Sequence, residues 1–171
     1  MKVNKKPIVF LLGPTASGKT EWAINWQSQF EDFEIISVDS VMVYKECNVG
    51  SAKPSDATLK KHPHHLVNYV SLNCIFSVAD FYQTAMKLID SIHDKNKVPL
   101  LVGGSMMYFN LLKNGLSVLP SANKSLREDL ETRILEYGIE TVYADLTKLD
   151  PKAAKKIKPQ DTQRIIRAIE V

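Results

Sequence analysis

The sequence has little of what marks disordered, disulfide-bonded or membrane proteins. Seven glycines and eight prolines in 171 residues, with no repeated block, exclude a low-complexity or solenoid protein. Two cysteines, Cys47 and Cys74, stand in no C-x-x-C pair, so we expect free thiols. The apolar stretch at 8–12 is far below the about 18 residues of a membrane span. We therefore expect a soluble, cytoplasmic protein with one domain, or one domain with an insertion.

Charge of one sign is also scarce over the whole chain. The 22 basic and 19 acidic residues leave a net charge of +3, too near balance to imply a nucleic-acid partner. The last 24 residues, 148–171, are different: seven basic against three acidic residues give +4. This segment is either a solvated helix face or a contact for a polyanion.

The hydrophobic pattern alternates between strands and helices up to Leu116. A continuous apolar run at 8–12 predicts a strand buried on both faces, and the helix after it should turn Trp22, Ala23, Trp26 and Phe30 towards the sheet. A capping box at Ser77 opens a helix with an apolar stripe. The predicted strands are 8–12, 34–38 and 98–102, the predicted helices 19–30, 77–95 and 106–112, and loops with short helical pieces fill 41–76. This order is typical of a doubly wound α/β sheet.

Beyond Leu116 the chain is rich in charge and has no comparable apolar strand, so we expect helices only. The candidates are 126–137, 141–149 and 162–171. Asp161 is placed to cap the last of them, with Ile165, Ile166 and Ile169 directed inward.

One motif carries chemistry by itself. It lies between the first predicted strand and the first predicted helix and fits the pattern G-x-x-x-x-G-K-[ST]. Its residues are Gly13, Pro14, Thr15, Ala16, Ser17, Gly18, Lys19 and Thr20. Its backbone N–H groups and the helix N-terminus are suited to phosphate oxygens, and Lys19 adds a positive charge. The Thr20 hydroxyl suits a Mg²⁺ ion that also touches the phosphates. The motif predicts a di- or triphosphate ligand with Mg²⁺, and it does not specify a nucleotide.

Asp39 directly follows the second strand and should reach the same phosphates. It is a candidate general base or water-mediated Mg²⁺ ligand, and the alternative is that it caps the next turn. Gly103 and Gly104, after the third strand, allow a close backbone approach. We interpret His62, His64 and His65 as turn residues with hydrogen-bonded imidazoles, because no metal-ligand partner stands at suitable spacing.

Two smaller patterns have ordinary structural interpretations. His93 near the end of its helix is expected on a solvated face, and Trp22 and Trp26 are expected in the core rather than as a platform for bases. Gln163 and Arg167, four residues apart on one helical face, weakly favour a nucleic-acid contact.

The chain resembles the tRNA dimethylallyltransferases, also called tRNA isopentenyltransferases, along its whole length. The segments that carry the resemblance, in family order, are 13–20, 37–40 with Tyr44, 49–54 (VGSAKP), 63–66 (PHHL), 77–81 (SVADF), 102–109 (VGGSMMYF), 115–117 (GLS) and 161–164 (DTQR).

The resemblance implies a P-loop NTPase-like α/β fold, a parallel sheet flanked by helices with a helical insertion. It also implies transfer of a dimethylallyl group from dimethylallyl diphosphate to the exocyclic amine of an adenosine beside the tRNA anticodon. In these terms the P-loop binds the diphosphate, Asp39 is the base and Lys19 assists the leaving group. The positions that match tRNA contacts are Asp39, Ser40, Val41, Met42, Ser105, Arg127, Gln163, Arg164, Ile165, Ile166 and Arg167.

The resemblance also implies a division of the chain. Residues 1–116 are the P-loop core, 117–160 a helical insertion contacting tRNA, and 161–171 a helix returning toward the core. Family members continue well beyond this point, so we expect the N-terminal part of such an enzyme, acting as a monomer.

Two alternatives remain open. A small-molecule or nucleoside monophosphate kinase would share the P-loop and the Asp, but it needs an arginine-rich lid, and 115–158 contains only Arg127 and Arg133. The second alternative is a fragment that binds RNA or diphosphate without turnover.

Overall fold

The computed structural model describes residues 6–116, 119–120 and 122–171. The chain divides into two compact units, Met1–Leu116 and Ser117–Val171. No helix in the described residues has the length and apolar character that crossing a membrane requires.

The first unit is a parallel sheet with helices on both faces. Its elements are β1 (Val9–Leu12), α1 (Lys19–Gln29), β2 (Phe33–Val38), α2 (Asp56–Lys61), β3 (His64–His65), α3 (Val78–Asp94), β4 (Val98–Gly103) and α4 (Met106–Asn114). The strand order is β1-β4-β2-β3 and all neighbours are parallel, which confirms the predicted fold class. Short α2 and β3 lie in the stretch predicted as loops and short helical pieces, and β3 was not predicted as a strand.

The register aligns the carboxyl ends of three strands. Gly103 at the end of β4 is paired with Leu12 of β1 on one side and with Val38 of β2 on the other. The loops that follow these strands therefore leave the sheet side by side. They are the loops for which the sequence predicts the site.

The longest helix of the unit follows its sequence signals. The Ser77 hydroxyl accepts the Asp80 N–H and the Asp80 carboxylate accepts the Ser77 N–H, which completes the predicted capping box. The stripe that packs on the sheet contains Phe81, Ala85, Ile89 and Ile92, all buried, with Leu88 partly buried.

Two burial predictions near the N-terminus are wrong. The side chains of Ile8, just before β1, and of Phe10 and Leu12 in β1 are each more than a third exposed, because β1 is an edge strand and no described residue covers them fully. In α1, Ala23 and Trp26 pack on the sheet, whereas Trp22 and Phe30 are 60% and 54% exposed. Phe30 is the C-cap residue and leaves the helix with an extended backbone, and Trp22 lies at one edge of the 100° arc that the four positions span.

A third prediction, the solvated face for His93, is also wrong. Both ring nitrogens of His93 are buried, without a hydrogen-bond partner among the described residues. His93 is in the last turn of α3, directly after Ile92, the last residue of the buried stripe.

The second unit is entirely helical in its described part. It contains α5 (Lys124–Tyr137), α6 (Ile139–Leu149), α7 (Pro151–Ala154) and α8 (Thr162–Glu170). Its core is formed by Leu130, Val142, Leu146, Ala154, Ile165 and Ile166. Three of the helices match predicted ones, and α7 was not predicted.

The last helix begins as predicted. The Asp161 carboxylate accepts the Arg164 N–H at 3.2 Å, which caps α8. Ile165 and Ile166 are buried and Ile169 is partly buried, in the core of the second unit. The separate assignments of 117–160 and 161–171 stay predictions.

Candidate functional site

The loop at 13–20, which the sequence predicts to bind phosphate, has a left-handed backbone at two positions, Ala16 with a φ of +64° and Gly18. Gly18 has a φ of +78° and is the N-cap residue of α1, which begins at Lys19. This left-handed conformation is easy for glycine and costly for other residues. The loop therefore leads directly into a helix N-terminus, where free N–H groups attract anions.

Lys19 lies back over its own loop. Its ammonium group donates to the Pro14 carbonyl oxygen and, at 3.2 Å, to the Ser17 hydroxyl. Both acceptors belong to the phosphate-binding motif. The Lys19 charge is thus held at the place where the motif predicts a phosphate.

Asp39 follows β2 and organises the loop behind it. Its Oδ1 accepts the backbone N–H of Val41 at 2.8 Å and of Met42 at 3.0 Å. This is the capping role that the sequence left open as an alternative. No described residue hydrogen-bonds to Oδ2, so this oxygen can take a proton while Oδ1 keeps the carboxylate oriented.

Ser105 and Gly103 join this loop to the end of β4. The Ser105 hydroxyl accepts the Ser40 N–H at 3.2 Å, and the Ser105 N–H donates to the Val38 carbonyl at 3.3 Å. A Cβ atom on Gly103 would overlap the Val38 carbonyl oxygen. The predicted close approach at Gly103 is therefore confirmed, and the group that approaches is the backbone of β2.

A cavity of about 480 Å³ opens where these loops meet. Its volume is in the range of small-molecule sites. It is lined by 15–21 from the phosphate-binding loop and α1, by Ser37, Asp39, Val41 and Met42, by 50–52 and Pro54, by His64, and by 102–104. Lys19, Thr20 and Asp39 thus share one cavity, as the motif predicts.

The cavity also contains two buried polar groups to which the sequence assigned no role. The Nδ1 atom of His64 lies 2.6 Å from the His62 carbonyl oxygen, while Nε2 is buried and has no partner among the described residues. Burial lowers the pKa of His64, which favours the neutral ring. The Ser37 hydroxyl is also buried, and its hydrogen bond goes to the Met42 sulfur at 4.0 Å. The PHHL segment was the only signal for His64.

Lys53 was likewise not assigned. Its ammonium group donates to the Tyr44 carbonyl at 2.7 Å and to the side-chain oxygens of Asn48 and Asn68 at 3.0 and 2.8 Å. These bonds tie the segment that carries 50–52 to the start of the loop after β2. Lys53 thus supports one wall of the cavity from outside.

The other histidines of the PHHL region are held by hydrogen bonds. His62 contacts the Gln27 side chain at 3.0 Å, and His65 contacts Glu34 at 3.2 Å. The hydrogen-bonded imidazoles are as predicted, but His64 and His65 form β3 instead of a turn. The described residues contain no group of three or more His, Cys, Asp or Glu that could hold a metal by themselves.

The remaining predicted contact residues lie in the second unit. Arg127 in α5 pairs with Glu170, and so does Arg167 in α8. Gln163 and Arg164 are exposed, whereas the side chains of Ile165 and Ile166 are buried in the core, which leaves only their backbone for a contact.

Comparison with known proteins identifies the family. The family model described as IPP transferase matches residues 42–171. The chain belongs to the IPP transferase family. It is 48% identical to the tRNA dimethylallyltransferase of Vesicomyosocius okutanii over 171 residues, 100% of this chain and 55% of that protein.

Solved structures of the IPP transferase family resemble the structure of this chain. The full-length tRNA isopentenylpyrophosphate transferase of Bacillus halodurans is 36% identical with a TM-score of 0.63, over 97% of this chain and 55% of that one. A eukaryotic dimethylallyltransferase described as acting on tRNA is 27% identical with a TM-score of 0.77, over 94% of this chain and 40% of that one. The chain spans about half the length of the curated IPP transferase relatives it matches.

Proposed function

We propose that this chain takes part in transferring a dimethylallyl group from dimethylallyl diphosphate to the N6 amine of the adenosine adjacent to the tRNA anticodon. The observation that carries the proposal is the single cavity shared by the phosphate-binding loop and Asp39, in a chain similar over its whole length to tRNA dimethylallyltransferases. The reaction releases diphosphate, belongs in the cytoplasm with its tRNA substrate, and needs only one copy of the protein.

The phosphate-binding loop has the groups that a diphosphate leaving group requires. Residues 15–20 of the loop and the first turn of α1 line the cavity, the N-terminus of α1 attracts anions, and Lys19 supplies a positive charge there. A bound diphosphate would replace the loop acceptors that Lys19 now contacts. In this position Lys19 stabilises the negative charge that develops as the bond between the allylic carbon and oxygen breaks.

Asp39 is suited to the proton transfer. The adenine amine is a weak nucleophile because its lone pair is delocalised into the ring. As the bond from N6 to the allylic carbon forms, the amine loses a proton, and Oδ2 of Asp39 accepts it. The electron pair of the broken bond leaves with the diphosphate. General-base assistance of this kind is worth about 10²–10⁴ in rate.

The residues present fit a Mg²⁺ ion bound mainly through the substrate. Mg²⁺ in phosphate sites is held by one or two protein oxygens together with phosphate oxygens and water. Thr20, in the first turn of α1, lines the cavity and offers one such oxygen. The ion would supply charge neutralisation for the diphosphate.

The tRNA must present a base that is turned out of its stack, which costs a few kcal/mol. The residues proposed to receive it are Asp39, Val41 and Met42, which line the cavity and are joined by hydrogen bonds, and the adjoining Ser40 and Ser105, which are hydrogen-bonded to each other. The proposed backbone contacts are Arg127 and the segment Gln163, Arg164, Ile165, Ile166 and Arg167.

The structure gives a further argument against the alternative that the chain is a kinase. The two arginines between 115 and 158 are both paired with carboxylates, Arg127 with Glu170 and Arg133 with Asp145 at 2.6 Å. A lid must close over the transferring phosphoryl group with arginines that can move, whereas both of these arginines are held in place by carboxylates of the second unit.

The test follows label from the prenyl group. The chain is incubated with Mg²⁺, dimethylallyl diphosphate labelled in the dimethylallyl group, and tRNA. We expect label in N6-modified adenosine. ATP-dependent phosphorylation of a small acceptor without label in tRNA would contradict the proposal, and binding of both ligands without label in tRNA would identify the non-catalytic alternative.

The Asp39→Asn variant separates chemistry from binding. It keeps the side-chain oxygen that caps the loop and removes the base, so we expect turnover to fall by about 10²–10⁴. The affinity for dimethylallyl diphosphate, measured by calorimetry, should stay within about twofold of wild type. Lys19→Met is the matched control and should weaken that affinity at least tenfold. Unchanged turnover in Asp39→Asn would remove Asp39 from the mechanism.

A further inference from the structure

Two arginines of the second unit converge on one carboxylate. Arg127 of α5 donates from Nε to Glu170 Oε1 at 2.6 Å and from Nη2 to Oε2 at 2.9 Å. Arg167 of α8 donates from Nη1 to the same Oε2 at 3.0 Å. The Asn123 N–H, at the N-cap of α5, donates to Oε1 at 3.0 Å. Each oxygen of Glu170 therefore has two donors.

The burial of the three side chains is unequal. The Glu170 side chain is 0% exposed, whereas those of Arg127 and Arg167 are 42% and 37% exposed. Burying a carboxylate is costly unless it is fully hydrogen-bonded, as this one is. The carboxylate is thus shielded from solvent, whereas the two arginine side chains remain partly exposed.

The exposed guanidinium groups keep unused donors. Each guanidinium has five N–H bonds. Arg127 uses two of them on Glu170, and Arg167 uses one on Glu170 and one on the Pro120 carbonyl at 2.9 Å, so three on each have no partner among the described residues. Two positive charges against Glu170 leave +1, and the Glu131 carboxylate, which acts on Arg127 from the same helix, offsets part of it. Fixed forks of this kind match the geometry of phosphate oxygens.

We propose that Glu170 is a positioning residue for RNA, which holds Arg127 and Arg167 as a fixed pair whose remaining N–H groups bind phosphates of the RNA backbone. The inference rests on the proposed function, since it takes RNA as the partner. Under this proposal the negatively charged Glu170 strengthens the binding of a negatively charged RNA. A carboxylate beside a nucleic-acid contact should repel phosphate, but this one lowers the entropy that the arginines lose on binding.

The experiment measures RNA binding by wild type and Glu170→Gln. A fluorescent anticodon stem-loop RNA is titrated with the chain at a series of salt concentrations. We expect Glu170→Gln to bind about three- to tenfold more weakly, although its net charge is one unit more positive. The slope of log K against log[salt] should also become shallower by about 0.7 for each phosphate that the variant no longer binds. Equal or tighter binding by Glu170→Gln overturns the proposal.

Glu136→Gln is the matched control, because it makes the same change of charge at an exposed position in the same unit. It should leave binding unchanged or make it slightly tighter. A loss equal to that of Glu170→Gln would mean that positioning is not the cause, and would overturn the proposal.

A variant that lacks both arginines shows whether Glu170 acts by positioning them or by a general effect on the structure. In Arg127→Gln/Arg167→Gln, the further change Glu170→Gln should alter RNA affinity less than twofold, because there is nothing left to position. A tenfold effect in this background would overturn the proposal.

A variant that leaves Glu170 in place covers the case in which Glu170→Gln does not fold. Arg127→Lys/Arg167→Lys keeps both charges and removes the forks, so we expect a loss of affinity similar to that of Glu170→Gln. Wild-type affinity in the lysine variant would overturn the proposal. If the wild-type chain itself bound no RNA at low salt, both RNA as the partner and the role of Glu170 would be contradicted. The other outcomes contradict only the role of Glu170.

Discussion

Gly103 is the residue at which two parallel strands approach too closely for a side chain. It pairs with Val38, whose carbonyl oxygen occupies the space of a Cβ atom. The same carbonyl accepts the Ser105 N–H, and the Ser105 hydroxyl accepts the Ser40 N–H. A single glycine thus allows the ends of β2 and β4 and the loop of Asp39 to form one rigid edge.

Gly103→Ala should therefore be strongly destabilising. We expect a loss of about 3 kcal/mol or more in the free energy of unfolding, because the overlap is with backbone rather than with a flexible side chain. Urea denaturation measures it. Gly104→Ala is the control: its Cβ would lie 3.3 Å from the Gly13 carbonyl oxygen, which needs only a small shift. Equal losses in the two variants would contradict this account.

Glu170 makes the stability of the second unit depend on pH. Hydrogen bonds from Arg127, then from Arg167 and the Asn123 N–H, outweigh burial and lower the pKa of Glu170 from 4.5 to about 2. The unfolded chain therefore binds a proton at this group more readily than the folded chain does. The stability that ionised Glu170 contributes is present above about pH 4.5 and is lost as the pH falls towards 2.

The difference in unfolding free energy between wild type and Glu170→Gln isolates this effect. We expect wild type to be more stable at pH 7 and the difference to shrink between pH 4.5 and 2. Other carboxylates titrate in both proteins and cancel. Denaturant titrations followed by circular dichroism at several pH values provide the measurement, and a constant difference would argue against the assignment.

At the scale of elements, local signals determined some boundaries and packing decided others. α3 begins at its capping box and buries its predicted stripe, because both signals are local. α1 has the predicted start, but its exposed Trp22 could not be distinguished from its packed Trp26 by spacing alone. β3 is two residues long and exists because β2 offers it a partner, which no local pattern shows.

In addition to the Asp39 cap and backbone hydrogen bonds such as that from Lys45 to Val70, the side chain of Lys53 holds the loop after β2. Lys53→Met should lower the free energy of unfolding by about 1–3 kcal/mol, since the Asn48, Asn68 and Tyr44 oxygens lose a charged donor. Thermal unfolding monitors the change.

Lys45→Met serves as its control, because Lys45 is exposed in the same loop and its side chain has no hydrogen bond within the described part of the chain. It should change the unfolding free energy by less than about 0.5 kcal/mol. If Lys45→Met were as damaging as Lys53→Met, loss of charge rather than loss of the hydrogen bonds would be responsible.

At the scale of the whole molecule, the apolar cores follow the two units. The cores on the two faces of the sheet draw their residues from the first unit, and the core around Leu146 draws its residues from the second. Each unit has its own buried apolar contacts, so we expect a substitution in one core to destabilise mainly the unit that contains it.

Leu146→Ala tests this division. The cavity should cost about 2–5 kcal/mol and reduce amide-exchange protection in α5, α6 and α8, while protection in β2 and β4 is retained. Leu101→Ala, in the sheet, should give the reverse pattern. Equal loss of protection in both units after Leu146→Ala would contradict separate cores. Hydrogen exchange followed by mass spectrometry resolves the segments.

The sequence by itself determined the parallel α/β class, the caps of α3 and α8, and the family, and it predicted the phosphate-binding loop. The fold class and the caps follow from short-range chemistry, because turn residues, capping side chains and apolar periodicity act within a few positions of the chain, and the family follows from the resemblance of its motif segments. Only the tertiary structure decided the edge position of β1, the pairing of Arg127 and Arg167 with Glu170, the place of His64 in the cavity and the bonds of Lys53. These depend on residues far apart in the chain, Arg127 and Glu170 being 43 positions apart, and burial and pairing are fixed only when the chain has folded.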